Sequence, residues 1–363
     1  MEIKEYKCPN CNGTVKFDSS AQKLKCPSCD TEFEINALDE FNKDLAEVAK
    51  DNFIWDTSKA GERWEEKELD DLSTGSCPSC GAELIGDQNT IAMVCPCCGN
   101  AQIVQKRISG MLKPNCCIPF QLEKKAAVDA LKKFYQKKRL LPNLFSEENR
   151  VNSMQGMYAP FWLFDAKANA NITYKASKTG RTWSDNNYVY TRIDHYSVAR
   201  RGSLDFEKVP VDGSKKLDDA YMDAIEPFDY QQIKDYQSAY LAGYSAEKYD
   251  VDAKASQERA NARIKKSIET EFARSVTGYA TVSVERSLVD VGSGKVSYAL
   301  MPMWILNTKY KNQNFQFIMN GQTGRIVGKL PVDRGKAWKY RLMFTFGIGL
   351  VLSAIFTLLL FFL

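Results

Sequence analysis

The spacing of apolar and polar positions changes several times along this chain, and each change predicts an element. The last 22 residues, Leu342 to Leu363, carry no charged side chain. At about 1.5 Å of rise per residue, a helix of that length crosses a hydrocarbon core of about 30 Å. Ser353 and the threonines can bond back to helix carbonyls, so they do not interrupt the span. A helix with no polar face is expected in a bilayer rather than in a soluble core. Arg334, Lys336, Lys339 and Arg341 precede it, with Trp338 and Tyr340 placed as headgroup-level anchors. Basic residues at one end set the orientation. The expectation is a single-pass protein of the cell membrane whose N-terminal body is cytoplasmic.

Further upstream the period is that of strands. Met157–Asp165 and Ala168–Tyr174 lead to turns predicted at Lys178–Thr182 and Asn186–Asn187, then to Tyr188–Ile193 and Tyr196–Arg200. Leu217–Phe272 reads as largely helical, broken at Glu226-Pro227. Its second part, Asp252–Phe272, is amphipathic through Ala253, Ala260, Ile264, Ile268 and Phe272. Strands return at Thr277–Val284, with a hairpin turn predicted at Gly292–Gly294. Tyr298–Leu306, Asn314–Met319, a turn at Asn320-Gly321 and Arg325–Gly328 come next. Asn-Gly between apolar runs is a strong hairpin signal. Pro160-Phe-Trp-Leu-Phe-Asp165 and Pro302-Met-Trp-Ile-Leu-Asn307 resemble each other, which predicts two related β-rich halves with a core of apolar aromatics. Nearer the N-terminus, a helix from Pro119-Phe120 to Leu141 is lined by Ala126, Ala127, Ala130, Leu131, Phe134 and Tyr135. Lys124, Lys125, Lys132, Lys133, Lys137, Lys138 and Arg139 give it a basic face. Leu38, Phe41, Leu45 and Val48 fall at helical spacing in a region with 15 carboxylates against five basic side chains between Asp30 and Asp71.

Cysteine carries the chemistry. Cys8-Pro-Asn-Cys11 and Cys26-Pro-Ser-Cys29 form two knuckles, and Cys77-Pro-Ser-Cys80 and Cys95-Pro-Cys-Cys98 form two more. One offset relates Cys8 to Cys77, Cys11 to Cys80, Cys26 to Cys95 and Cys29 to Cys98, so one unit is duplicated. Each knuckle aims two sulfurs at one ion, and two knuckles complete a tetrahedral thiolate site. Two Zn2+ ions are therefore expected. Each unit is a short hairpin: Thr14–Phe17 with Lys23–Lys25, and Ala82–Ile85 with Ile91–Val94. Units this small bury little core, so metal is expected to supply their folding energy. Gly13, Gly81 and Gly99 stand where a positive φ is expected. Cys97, Cys116 and Cys117 lie outside the quartets; Cys116 and Cys117 read as packed thiols, with lipidation or metal binding as the alternatives.

These patterns give an α+β chain: two small N-terminal four-cysteine zinc ribbons, a β-rich duplicated antiparallel body with a helical insert, and one C-terminal transmembrane helix. The segments are ribbon 1 (1–35), an acidic helical linker (36–76), ribbon 2 (77–105), a basic helix segment (106–150), β-rich half 1 (151–216), a helical insert (217–275), β-rich half 2 (276–333) and the anchor with its basic cluster (334–363).

Eleven cysteines behind an N-terminus without an apolar h-region argue for reduced, metal-binding thiols rather than disulfides. A net charge of +4 does not mark a nucleic-acid binder, and one histidine, His195, limits acid–base chemistry. Its neighbour Asp194 would point to the opposite strand face, so the two form no dyad. Gly292-Ser-Gly-Lys295 lacks the first glycine and the Ser/Thr of a phosphate loop, and Gly321-Gln-Thr-Gly324 is a turn. No catalytic constellation is present, and no enzyme is expected.

The twin Cys-Pro-x-Cys ribbons, the Pro119-Phe120 helix ending at Leu141-Pro142, Tyr158-Ala-Pro-Phe-Trp162, Tyr240-Leu-Ala-Gly-Tyr244 and Asn320-Gly-Gln-Thr-Gly324 resemble a family of membrane-anchored zinc-ribbon proteins, mostly from Firmicutes. The resemblance covers nearly the whole chain. The ribbons alone are unspecific, and they cause such proteins to be labelled primosomal or replisome proteins. The resemblance implies association with SPFH (flotillin-like) proteins and phage-shock protein A-like membrane-remodelling proteins, hence an adaptor in envelope stress and no catalysis. Partners are then the lipid bilayer, these proteins and further copies in a homo- or hetero-oligomer. The alternative is a zinc-ribbon nucleic-acid-binding protein of replication, which the acidic segment and the anchor disfavour.

Overall fold

The computed structural model describes residues 8, 13–34, 50–65, 68, 72–86, 94–100, 103–106, 110–136, 138–146, 153–311 and 313–362. In chain order the strands are β1 (Lys16–Asp18), β2 (Lys23–Lys25), β3 (Glu32–Phe33), β4 (Asn52–Asp56), β5 (Ser73–Ser76), β6 (Glu83–Gly86), β7 (Val104–Lys106) and β8 (Cys116–Cys117). Helix α1 (Lys124–Gln136), β9 (Gln155–Ser184), β10 (Val189–Asp212) and α2 (Asp219–Ala224) follow. Then come β11 (Lys234–Asp235), β12 (Ser245–Glu247), α3 (Gln257–Arg274), β13 (Thr281–Tyr310), β14 (Gln313–Asn320), β15 (Ile326–Gly328) and α4 (Arg334–Phe362). The fold is α+β with strands dominating.

Two strands of 30 residues, β9 and β13, organise it. Each passes through three regimes. β9 is buried continuously over Met157–Phe164, alternates from Asp165 to Ala176, and is exposed beyond Lys178. β13 begins exposed and ends in a continuously buried run over Tyr298–Leu306. Continuous apolar runs suit strands covered on both faces, and alternation suits one covered face. The chain divides into two compact units, one of Met1–Lys59, Leu163–Val211 and Gln257–Val296, the other of Ala60–Trp162, Asp212–Ser256 and Ser297–Leu363. The sequential halves 151–216 and 276–333 are thus each split, because one long strand contributes to both units.

In the first unit, β1, β2 and β3 form the first ribbon's antiparallel sheet. Val15, Leu24 and Phe33 pack there with Cys8 and Cys26. Elsewhere in this unit α3 lies on β9, burying Ile264 and Ile268 against Ala166, Ala168, Ala170, Ile172 and Tyr174. The alanines leave room for the helix. It starts at Gln257 rather than Asp252, because Asp252 Oδ1 accepts from Ala255 N at 2.7 Å and holds a turn there.

Two predicted turns of this unit are strand. Lys178–Thr182 lies inside β9, since the turn chemistry sits later: Asp185 Oδ1 accepts from Asn187 N at 2.9 Å and Tyr188 N at 2.8 Å. The Asn186–Asn187 turn is where the sequence places it. Gly292–Gly294 lies inside β13, where the register against β4 shifts between Val291 and Gly294. Glycine is required by close approach instead: a Cβ on Gly294 would overlap two ring carbons of Trp55. Trp55 is held by its Nε1, which donates to Asn261 Oδ1 at 2.8 Å. Gly294→Ala is therefore expected to destabilise the protein by about 1–3 kcal/mol, the range for overpacking, read as a lowered urea midpoint; an unchanged midpoint would refute the contact.

In the second unit the strand order is β11-β8-β13-β9-β12-β6-β5-β7, with β14 on β13 and β15 on β14. Helix α1 buries Ala127, Val128, Leu131 and Tyr135 against Phe145, Trp304, Phe317 and Met319. It begins at Lys124, later than expected, because Phe120 stacks on Tyr244 with ring centroids 4.0 Å apart and Leu122 N bonds Gly321 O at 3.0 Å. Ala126 is exposed, while Lys124, Lys125, Lys133, Lys138 and Arg139 face solvent. The insert 217–275 is less helical than predicted. Between α2 and α3 it contributes two short strands, β11 and β12, that pair with the sheet. The linker 36–76 likewise supplies β4 and β5; its stripe from Leu38 to Val48 lies outside the described residues.

The Pro160 and Pro302 motifs occupy equivalent settings. Pro160 O accepts from Gly213 N and Pro302 O from Gly321 N, both at 2.8 Å. The indole nitrogens of Trp162 and Trp304 each donate to a backbone carbonyl, of Val251 at 2.8 Å and Leu122 at 3.0 Å. Both rings are buried, as the core reading requires. Asn320 closes the β14–β15 hairpin, its Oδ1 accepting from Gln322 N at 2.8 Å and Thr323 N at 2.9 Å.

Candidate metal centre

Four local turns of one kind build the cysteine clusters. The N–H of the first cysteine of each knuckle donates to the carbonyl five residues on: Cys8 to Gly13 (2.8 Å), Cys26 to Thr31 (3.0 Å), Cys77 to Ala82 (2.9 Å) and Cys95 to Asn100 (2.7 Å). The fourth residue after the first cysteine has a positive φ where it is described: Asp30 at 55°, Gly81 at 72° and Gly99 at 77°. Glycine takes that conformation at no steric cost, which accounts for Gly81 and Gly99. Gly13 stands one place further on and supplies the accepting carbonyl instead.

Cys77, Cys80, Cys95 and Cys98 bring their sulfurs within 4.8 Å of one another. Cys77 Sγ and Cys98 Sγ are 3.6 Å apart, and Cys80 Sγ and Cys95 Sγ 3.7 Å. A tetrahedron of sulfurs at about 2.3 Å from a metal has edges of about 3.8 Å. The donor set and spacing thus fit a tetrahedral cation. In the first ribbon Cys8, Cys26 and Cys29 converge in the same way, with Cys8 Sγ and Cys29 Sγ 3.6 Å apart. Cys11 lies outside the described residues. Among the described residues two clusters that could hold a metal ion are therefore present, one of four cysteines and one of three.

The protons in the second cluster are unevenly held. The Cys97 thiol bonds Cys95 and holds it down to about 5, whereas burial pushes Cys80 and Cys98 up. Four close sulfurs cannot all ionise unaided. A bound cation removes that repulsion.

The two ribbons differ in support. The first packs on its own five-residue cluster. The second is part of the sheet. Leu84 and Ile85 of β6 pair with Glu247 and Ala246 of β12, and β12 pairs with β9. Ala82, Leu84 and Ile85 are buried, so this ribbon does share a core, contrary to the expectation from its size. Its predicted partner strand, Ile91–Val94, lies outside the described residues but for Val94; among the described strands β6 pairs with β5 and β12. Two side chains missed in the sequence clamp its second knuckle: Asn307 Nδ2 donates to Pro96 O at 2.6 Å and Gln316 Nε2 to Cys97 O at 2.7 Å. The one available signal was Asn307 closing a repeated motif whose other copy ends in Asp165.

Glu247 lies buried beside this knuckle, accepting from Ser214 Oγ at 2.9 Å. Burial pushes its carboxyl up from 4.5 to about 8. The folded chain keeps a proton there that the unfolded chain releases, so this group's contribution to stability falls as pH rises from 4.5 to about 8. Glu247→Gln is expected to flatten that slope, removing a change on the order of a few kcal/mol across the window, read from urea midpoints of both proteins. Parallel profiles would refute it. Cys116 and Cys117 form β8, paired with Ala299 and Leu300 of β13; Cys117 is fully buried, as a packed thiol is.

Comparison with known proteins finds a relative over nearly the full length. The chain is 35% identical over 338 residues to the uncharacterized protein YdjG of Bacillus subtilis (strain 168), covering 93% of this chain and 93% of that one. The chain belongs to the YdjG family. No family model matches it, and no solved structure does. With 93% of both chains aligned, the kinship is to the whole architecture and not to a ribbon alone.

Proposed function

We propose that the chain is a membrane-anchored scaffold that binds two zinc ions and faces the cytoplasm. The observation that carries this is α4: it holds an uncharged apolar stretch, from Leu342 on, long enough to cross a bilayer, and its most apolar 18-residue window buries nothing within the described residues. Such a surface is stable only in lipid or against another apolar surface. All-cysteine tetrahedral sites without an open position are structural zinc sites, and reduced thiols suit the cytoplasm. The basic residues Arg334, Lys336, Lys339 and Arg341 favour the same side.

On this reading the zinc ions fix loops, and the sheet presents a rigid surface. The anchor confines that surface to a plane and raises the effective concentration of weak contacts. The family resemblance supplies the partner class: SPFH proteins and phage-shock protein A-like membrane-remodelling proteins. Recruitment needs no catalytic group. Crosslinking in native membranes followed by purification of the full chain is expected to recover an oligomeric membrane-remodelling protein. Recovery of DNA or RNA in its place, lost with rising salt, would transfer the assignment to the nucleic-acid alternative.

A further inference from the structure

The tip of the β9–β10 hairpin is an aromatic and basic surface that the scaffold reading leaves unused. Beyond Ser177, whose hydroxyl meets Thr281 Oγ1 at 2.6 Å at the start of β13, β9 runs exposed to Ser184. The strands turn back tightly, Asp185 N donating to Tyr188 O at 3.0 Å. At about 3.4 Å per residue the eight positions 177–184 project about 27 Å. Trp183, Tyr188 and Val189 are 47%, 67% and 74% exposed, and Tyr190 and Ile193 are exposed beside them. Trp183 and Tyr190 stack across the hairpin with centroids 5.7 Å apart and planes at 14°, and Tyr188 lies against Tyr190 at 6.3 Å. Side chains two apart share a strand face, so Arg181 and Arg192 flank this aromatic group.

We propose that this tip is a second lipid contact, taking anionic headgroups with its arginines and the interfacial region with its rings. The proposal rests on α4 being a bilayer anchor, which brings the chain to a lipid surface. Charge agrees. At the tip, between Ser177 and Ile193, stand Lys178, Arg181 and Arg192 against Asp185, a formal +2, with Arg192 Nε donating to Asp194 Oδ1 at 2.8 Å. Each such cation near an anionic leaflet contributes about 1 kcal/mol. Trp and Tyr are the residues of the membrane interface. Branched aliphatic Val189 and Ile193, exposed on the other face of β10, make that side apolar too but offer nothing to a nucleic-acid base, and the Trp183–Tyr190 stack already covers one face of each ring. A bare two-stranded hairpin is marginal in water, which favours a docked state.

The test uses the full chain in vesicles of phosphatidylcholine with and without phosphatidylglycerol, with brominated acyl chains as quencher. The emission of Trp183 is the difference between the native protein and Trp183→Phe. It is expected to fall by about half in brominated anionic vesicles, as for rings at headgroup depth, and less in neutral ones. Tyr188→Ser with Val189→Ser, both at exposed positions, should restore it. Flotation with the vesicles without quenching of Trp183 overturns this proposal and leaves the anchor standing. Failure to float overturns both. Quenching by single-stranded RNA in detergent, with none by lipid, reassigns the tip to nucleic acid.

Discussion

Cys77→Ser is expected to release one of two zinc ions and to loosen one end of the sheet, whereas Cys8→Ser releases the other ion and leaves the sheet intact. The difference follows from support. Apparent zinc-binding energies in isolated zinc fingers are about 10–16 kcal/mol, which is also folding energy. In the first ribbon that energy closes a cluster of Cys8, Val15, Leu24, Cys26 and Phe33, none of which belongs to the large sheet. In the second it sits between β5 and β6, and β6 is paired with β12. Loss of that ion frees the knuckle held by Asn307 and Gln316 and exposes Leu84 and Ile85. Native mass spectrometry should read one ion in each variant. Hydrogen exchange should rise across β5, β6 and β12 in Cys77→Ser by at least about a hundredfold, the factor for a local loss near 3 kcal/mol, and remain unchanged there in Cys8→Ser. Equal effects of the two substitutions would refute the asymmetry, and fewer than two ions in the native chain would refute the twin sites.

Removing residues 342–363 is expected to move the protein from the membrane to the soluble fraction with its fold unchanged. Fifteen Leu, Ile, Val and Phe residues lie between Leu342 and Leu363. At about 0.3–0.6 kcal/mol each they favour insertion by roughly 5–9 kcal/mol. Two arginines near the centre, Leu352→Arg with Phe356→Arg, cost about 5–7 kcal/mol and nearly cancel that. One arginine alone leaves the protein inserted. Alkaline extraction distinguishes the three cases. The body should keep its near-ultraviolet spectrum throughout, because among the described residues nothing packs on the helix window. A truncated chain that stays with membranes, or a full chain that extracts freely, would refute the anchor.

Much of this was legible in the sequence, for identifiable reasons. Cysteine spacing is local, so the knuckles and the clustering of their sulfurs could be read from the sequence. The Asn320 turn and the apolar stretch of α4 are local as well. Glycine misled. Gly180 and Gly294 read as turn formers, but one sits opposite Arg192 in a strand pair and the other beneath the Trp55 ring. Only tertiary contact tells these uses apart. Helical periodicity was found in α3, where Ala260, Ile264 and Ile268 are all buried as expected. It was over-extended across the rest of 217–275, whose two short strands are defined by partners distant in the chain: Lys234 pairs with Cys117, and Ala246 with Ile85. The interleaved units were invisible for a related reason. A strand of 30 residues is far beyond the usual 5–6, so each long apolar run was read as several shorter strands.

The independent packing of the first ribbon has a consequence for how such chains can diversify. A piece that, among the described residues, closes on its own sulfurs and on Val15, Leu24 and Phe33 behaves as an exchangeable cassette. It can be swapped, rewritten on its outer face or lost without disturbing the assembly of the large sheet. Its sheet-embedded twin has no such freedom, because β12 and the Asn307–Gln316 clamp fix its outline.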